Sequence, residues 1–282
     1  MGNTSPFVKA HGFGDSASML AAQTVVVSFA AGLFLAVATA PVGVSGAVFL
    51  LPFQMSVLQV PNPAVTPTNL LFNIVAIPGA LARYRIRAPL RSPLTTVLLA
   101  GTVPGVIVGA VIRVFLIPGP QLFRLIVAVL LMPLGIWLCL PDRTRRQSRQ
   151  RQRGQPSNRS IAALAVVVGV VGGIYGIGGG SLLSPILVGR GLPIPTIAPA
   201  ALTSTFVTSI AGAITYGILA ATNPGHHIAP DWAIGFAAGA GGLIGGYLGA
   251  WLQPLLPERM LRTILGIMAI ATAALYAAQS LD

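Results

Sequence analysis

The sequence predicts an all-α polytopic membrane protein built from two related halves, and three observations carry that expectation. Of its 282 residues 54% are hydrophobic and only 8% charged, against roughly 25% charged in a soluble domain, so no water-facing surface can be assembled from it. Apolar runs of the length needed to cross roughly 30 Å of hydrocarbon, about 20 helical residues, recur along nearly the whole chain. The same order of segments then returns after 132 to 140 residues.

The elements follow in order. Residues 1–19 form a polar segment in which Lys9 faces only Asp15. They lack the charged start of a cleavable secretory signal, so the first apolar segment is expected to be retained. The first membrane repeat, 20–140, offers spans at Leu20–Ala40, Ala47–Leu58, Ala64–Ala82, Leu94–Leu116 and Leu122–Leu140. A basic linker, 141–160, carries seven arginines and one acid between Asp142 and Arg159. Interleaved with Gln, Ser, Gly and Pro, it has no apolar face to bury and is expected to be solvated. The second repeat, 161–282, offers Ile161–Tyr175, Ser181–Val188, Thr196–Ala220, Trp232–Leu252 and Met260–Ala278.

Residue identities support the duplication. At an offset of 133, Gly43, Gly46 and Pro52 fall on Gly176, Gly179 and Pro185. At 132, Pro61, Pro63, Pro67, Leu70, Val75, Tyr84 and Ile86 fall on Pro193, Pro195, Pro199, Leu202, Val207, Tyr216 and Ile218. At 140, Gly101, Gly105 and Gly109 fall on Gly241, Gly245 and Gly249. Internal duplications of this kind are common in secondary transporters.

The net charge is +12, but the arginines cluster in connectors, where they act as topology signals rather than as a nucleic-acid surface. Arg83, Arg85, Arg87 and Arg91 and the long linker are expected to face the cytoplasm. Re-entrant glycine-broken segments followed by three full spans would place every basic cluster inside and make the halves inverted copies. Fully crossing broken segments would instead give eight spans in parallel repeats, with Arg190 and Arg259 outside. The charge bias favours the inverted arrangement.

Chemistry is expected at the breaks. Gly176-Ile177-Gly178-Gly179-Gly180-Ser181 interrupts membrane-embedded apolar sequence, and glycine at that density breaks a helix. A half-helix N-terminus carries about half a positive charge, so a wet cavity there suits an anion. Gly43-Val44-Ser45-Gly46 supplies a second copy, and Ser45 and Ser181 add hydroxyls. The following helix of each half carries polar residues on one side: Thr66, Asn69 and Asn73 in the first, Ser204, Thr205, Thr208 and Thr215 in the second. The bland readings are close packing at glycine, and interhelical or back-bonding by the hydroxyls. The candidate substrate-binding set is Gly43, Ser45, Gly46, Asn69, Asn73, Gly178, Gly179, Gly180, Ser181, Thr205 and Thr208.

Other residues point to structure. The four-residue glycine series reads as packing stripes, which permit a homodimer without requiring one. Arg113 and Arg124 read as interfacial anchors, and Cys139 as a buried thiol that forms no disulfide within the chain. No acid lies mid-span, so a carboxylate proton relay is not expected. His226 and His227 lack further ligands, so neither a metal nor a cofactor is expected. No catalytic constellation, HExxH helix or phosphate loop is present, and an enzyme is not expected.

Gly176-Ile-Gly-Gly-Gly-Ser-Leu-Leu-Ser-Pro185, its weaker copy Gly43-Val-Ser-Gly-Ala-Val-Phe-Leu-Leu-Pro52, and a small-polar helix ending in Tyr84 or Tyr216 together resemble the TauE/SafE family of sulfite and organosulfonate permeases, over roughly Leu20–Ala278. The resemblance implies movement of small sulfur-containing or related organic anions across a bacterial inner membrane. The first copy departs from the motif, with Ser45 and Ala47 where the second has glycine. A secondary carrier of a small anion, working by rocking of the halves, is the expected function; an anion channel or a non-transporting scaffold is the alternative.

Overall fold

The computed structural model describes residues 12–62, 64–87, 89–116, 120–140, 158–190, 192–223 and 228–281. Most of the basic linker, His226 and His227, Pro63 and Pro118 lie outside them, as does the side chain of Arg124.

Among the described residues ten α-helices follow one another: α1 Gly12–Thr39, α2 Ala47–Ser56, α3 Val65–Arg85, α4 Pro93–Phe115, α5 Pro120–Cys139, α6 Asn158–Tyr175, α7 Gly179–Gly189, α8 Ile194–Thr222, α9 Trp232–Leu252 and α10 Glu258–Leu281. Among the described residues, five helical stretches are long and apolar enough to cross a membrane. The protein is thus an all-helical, polytopic membrane protein. Its partition of side chains agrees with a lipid solvent: Val26, Phe34, Val167, Ile214 and Ile218 point outward, while Thr66, Asn69, Asn73, Ser181 and Thr208 are fully buried. Lipid accepts the apolar faces, and polar groups must find partners inside.

Helix α1 starts at Gly12, eight residues before the expected first span, so the polar segment is partly helical. Its far end is interrupted: a 3-10 turn, Ala40–Val42, leads into Gly43 and then into the short α2. In the second half, α6 ends at Tyr175 and α7 begins at Gly179. Gly43 and Gly176 have φ of 74° and 67°, the left-handed region a Cβ disfavours. Both interruptions therefore turn at equivalent glycines.

Two seams hold the bundle together, and each pairs helices from opposite halves. A Cβ on Gly101, Gly105 or Gly109 of α4 would meet the carbonyl oxygens of Ala162, Val166 and Val170 in α6 at 2.6, 2.5 and 2.1 Å. A Cβ on Gly241, Gly245 or Gly249 of α9 would meet those of Phe29, Leu33 and Val37 in α1 at 2.0, 2.2 and 2.6 Å. Only glycine allows backbones this close. The stripes are spent within the chain and are not free to seat a second copy.

The register of these contacts gives helix directions. Partners rise together along α4 and α6, and along α1 and α9, so each pair runs parallel. The series Leu71 with Gly235, Val75 with Gly239 and Gly79 with Leu243 makes α3 parallel to α9. Thr102 bonds Ser204 and Val106 abuts Gly212, so α4 is parallel to α8. Leu70 meets Gly212 whereas Thr66 meets Tyr216, which makes α3 and α8 antiparallel. Cys139 meets Gly266 and Gly135 meets Ile270, so α5 and α10 are antiparallel too.

Two expectations need correction. Cys139 is exposed rather than buried, because α5 is packed chiefly on one neighbour, α10. Arg113 is no snorkelling anchor: it is 0% exposed. It follows Gly101, Gly105 and Gly109 by the same four-residue step, and that side of α4 faces α6 rather than lipid.

Candidate functional site

The two interruptions meet. The Ser45 backbone N–H donates to Ser181 Oγ at 3.3 Å, joining the first break to the first turn of α7. Around this contact the candidate residues form one buried network. Ser45 Oγ donates to Asn73 Oδ1 and accepts from the Ala47 N–H at 3.2 Å, at the start of α2. Asn73 Nδ2 reaches the Gly176 carbonyl at 3.3 Å, so a single asparagine on α3 touches both breaks. Asn69, one turn earlier, donates to the Ala47 carbonyl at 2.9 Å, and its Oδ1 has no hydrogen-bond partner.

The second break is held mainly from α8. Thr208 Oγ1 accepts from the Gly179 N–H at 3.2 Å, satisfying one of the unpaired donors of the α7 N-terminus. Ser181 Oγ lies 3.2 Å from Thr205 Oγ1 and 2.9 Å from the Ile177 carbonyl. Thr205 and Thr208 also back-bond to the carbonyls of Ala201 and Ser204, at 2.9 and 2.7 Å. The bland role expected of such hydroxyls is thus present together with the cross-break contact.

Packing limits the site. A Cβ on Gly43 would lie 2.4 Å from Ala198 Cα, one on Gly178 2.6 Å from Thr205 Cγ2, one on Gly179 2.6 Å from Thr102 Cβ, and one on Gly180 2.0 Å from the Ala201 carbonyl oxygen. Gly46 is looser, its nearest neighbours 3.3 Å away. Beside it lies a small recess of about 10 Å³, open in part to its surroundings, lined by Thr39, Val44, Ser45, Gly46, Phe72, Ala76, Ile77, Ala80, Leu202, Gly242 and Gly246 among others. Of the candidate residues only Ser45 and Gly46 border it.

This arrangement is a membrane-buried, hydroxyl- and amide-lined junction of two broken helices, and among the described residues no cluster of metal-ligating side chains accompanies it. The model of the sulfite exporter TauE/SafE family matches residues 28–276. The chain belongs to the TauE/SafE family. It is therefore a multi-pass member of a family of membrane transporters, with a lipid bilayer as its solvent and a small molecule as its cargo. No curated protein and no solved structure matches it at a significant level.

Seen as a TauE/SafE protein, the chain has further polar residues at the junction outside the candidate set, of which Thr66 and Ser204 were visible in the sequence as polar helix positions and Ser184, Thr102 and Ser209 were not. Ser184 Oγ donates to the Val42 carbonyl, Thr102 Oγ1 lies 2.9 Å from Ser204 Oγ, and Thr66 Oγ1 donates to the Ile174 carbonyl at 3.3 Å. Ser209 is fully buried with its hydroxyl unpartnered, close to the space a Gly178 Cβ would take, at 3.1 Å. Two tyrosines fix the breaks in matching fashion: the Tyr84 hydroxyl donates to the Ala40 carbonyl and that of Tyr216 to the Gly173 carbonyl, both at 2.9 Å. The signal for the tyrosines was present in the repeat, since they are register mates and so are the carbonyls they cap.

Proposed function

We propose that this TauE/SafE protein is a secondary carrier of a small anion, sulfite, an organosulfonate or a related organic anion, bound where the two breaks meet. The observation that carries the reading is the Ser45 N–H contact to Ser181 Oγ, because it brings the interruption of one half against the α7 N-terminus of the other. An anion at that junction would exchange the existing hydrogen bonds of Ser45, Asn73, Ser181, Thr205 and Thr208 for bonds to itself, and the α7 N-terminus favours negative charge.

The halves are read as inverted copies, with repeat boundaries at 20–140 and 161–282. The helix directions support this: α1 and α3 run with α9, α4 runs with α6 and α8, and the register mates α3 and α8 are antiparallel. Alternating access then takes the form of one parallel group, α1, α3 and α9, tilting against the other, α4, α6 and α8. The charge bias assigns the Arg83 cluster and the basic linker to the cytoplasmic side of a bacterial inner membrane.

The test is uptake into proteoliposomes across a panel of sulfite, methanesulfonate, sulfate, small carboxylates and monovalent cations, with thermal stabilisation of the purified protein as a binding readout. Saturable uptake of sulfite or sulfonate, with counterflow in preloaded vesicles, is expected. Uptake of cations alone, or of nothing, overturns the reading.

A further inference from the structure

The stripe that seats α4 on α6 ends in a charge. Gly101, Gly105, Gly109 and Arg113 recur every four residues and so lie along one side of the helix. The three glycines touch the α6 backbone, and Arg113, one turn further, is fully buried. Its guanidinium donates to Asn62 Oδ1, and a Cβ on Gly109, one turn back, would lie 3.1 Å from Gly173 Cα in α6. Tyr175 immediately precedes Gly176, and Tyr216 holds the Gly173 carbonyl. Arg113, one turn beyond Gly109, therefore stands level with the end of α6, where the second break begins.

The other half shows what this position needs for packing alone. Its stripe, Gly241, Gly245 and Gly249, ends in Gln253, whose Nε2 donates to the Pro41 carbonyl at 2.6 Å. A neutral amide closes that seam. Burying a charge is costly where an uncharged group would serve, and ionisable residues inside membrane proteins mark substrate paths.

We propose that Arg113 is the charge-recognition residue for the transported anion, its planar fork engaging two oxygens of a sulfonate, sulfite or carboxylate group as the substrate passes Tyr175 into the junction. The geometry of guanidinium matches such an oxygen pair, which a lysine ammonium meets only as a point charge. The proposal rests on the anion-carrier reading, and the wild-type assay separates the two. If the wild-type protein moves no anion, that reading fails first.

The experiment compares methanesulfonate uptake by wild type, Arg113→Gln, Arg113→Lys, Arg113→His and Asn62→Ala in proteoliposomes. Methanesulfonate keeps its charge across the range used, so pH acts on the protein alone. Arg113→Gln is expected to raise KM at least tenfold, and Arg113→Lys less. Arg113→His, whose imidazole charges near pH 6.5, is expected to show KM falling between pH 8 and pH 5.5, while wild type does not. Asn62→Ala, which removes the bonded partner and leaves the charge, is expected to keep KM within threefold. A KM in Arg113→Gln equal to wild type overturns the proposal. If Arg113→Gln does not fold, a KM in Arg113→His that moves with pH no more than wild type does overturns it in its place, as does an Asn62→Ala defect equal to that of Arg113→His.

Discussion

The two breaks share a backbone plan but differ in what surrounds them. Beside the first, Phe72, Ala76, Ile77 and Gly242 border the recess. Their register mates beside the second are Ser204, Thr208, Ser209 and Thr102, all hydroxyl-bearing and fully buried. Gly242 packs directly on Ala76 and Phe72, whereas its register mate Thr102 packs on Gly179. The same division continues at the ends of the glycine stripes, with Gln253 on one side and Arg113 on the other. Duplication thus preserved the turn, while the chemistry separated: the second break is surrounded by hydroxyls and a charge, and the first borders a recess.

The largest test of that difference is steric. Gly180→Ala drives a Cβ against the Ala201 carbonyl, and overpacking of this kind costs about 1–3 kcal/mol or more. Gly46→Ala has its nearest contacts at 3.3 Å, so its neighbours need give only a few tenths of an ångström, and it is expected to cost clearly less than Gly180→Ala. Thermal midpoints of the two variants in detergent check this; equal losses would mean that the first break is as tightly held as the second.

A smaller effect is expected from filling the recess. Ala80→Val should leave the thermal midpoint unchanged or raise it, by up to about 1 kcal/mol, while slowing anion flux, if the recess is the room into which the junction rearranges. Flux unchanged at full stability would assign the space no role.

Ser209→Ala separates polarity from packing. Removing a buried hydroxyl with no partner relieves a penalty of about 1 kcal/mol, so stability should hold or rise. KM for the transported anion should rise severalfold, because a donor near Gly178 is lost. A stable variant with unchanged KM would remove Ser209 from the site.

The smallest effect should be equal in the two halves. Tyr84→Phe and Tyr216→Phe each delete one bond to a carbonyl of the break, worth about 0.5–1.5 kcal/mol net. Matching shifts in thermal midpoint are expected; a large difference would show that the common backbone plan is itself unevenly supported.

Much of this was legible in the sequence because the signals are periodic. Apolar length marked the spans, glycine density marked both breaks, and the offsets paired Tyr84 with Tyr216. Asn73 and Ser45 were visible as polar residues in an apolar setting. Arg113 was misread as an interfacial anchor, although its four-residue step from Gly109 already placed it on the buried stripe. Ser209 and Thr102 carried no such mark: a single hydroxyl in a transmembrane helix usually satisfies itself on the preceding turn, and only the neighbouring helices reveal which ones face the junction.

The crossed seams also bear on how the protein is made. Helix α1 emerges from the ribosome long before α9, which carries the glycine stripe that receives it. During synthesis α1 must wait in the bilayer, or against a temporary companion, until most of the polypeptide has been inserted, whereas α4 meets α6 soon after both appear. Assembly is therefore expected to finish late and all at once. A chain truncated before Trp232 would leave its opening helix without its seam and become a substrate for membrane quality control.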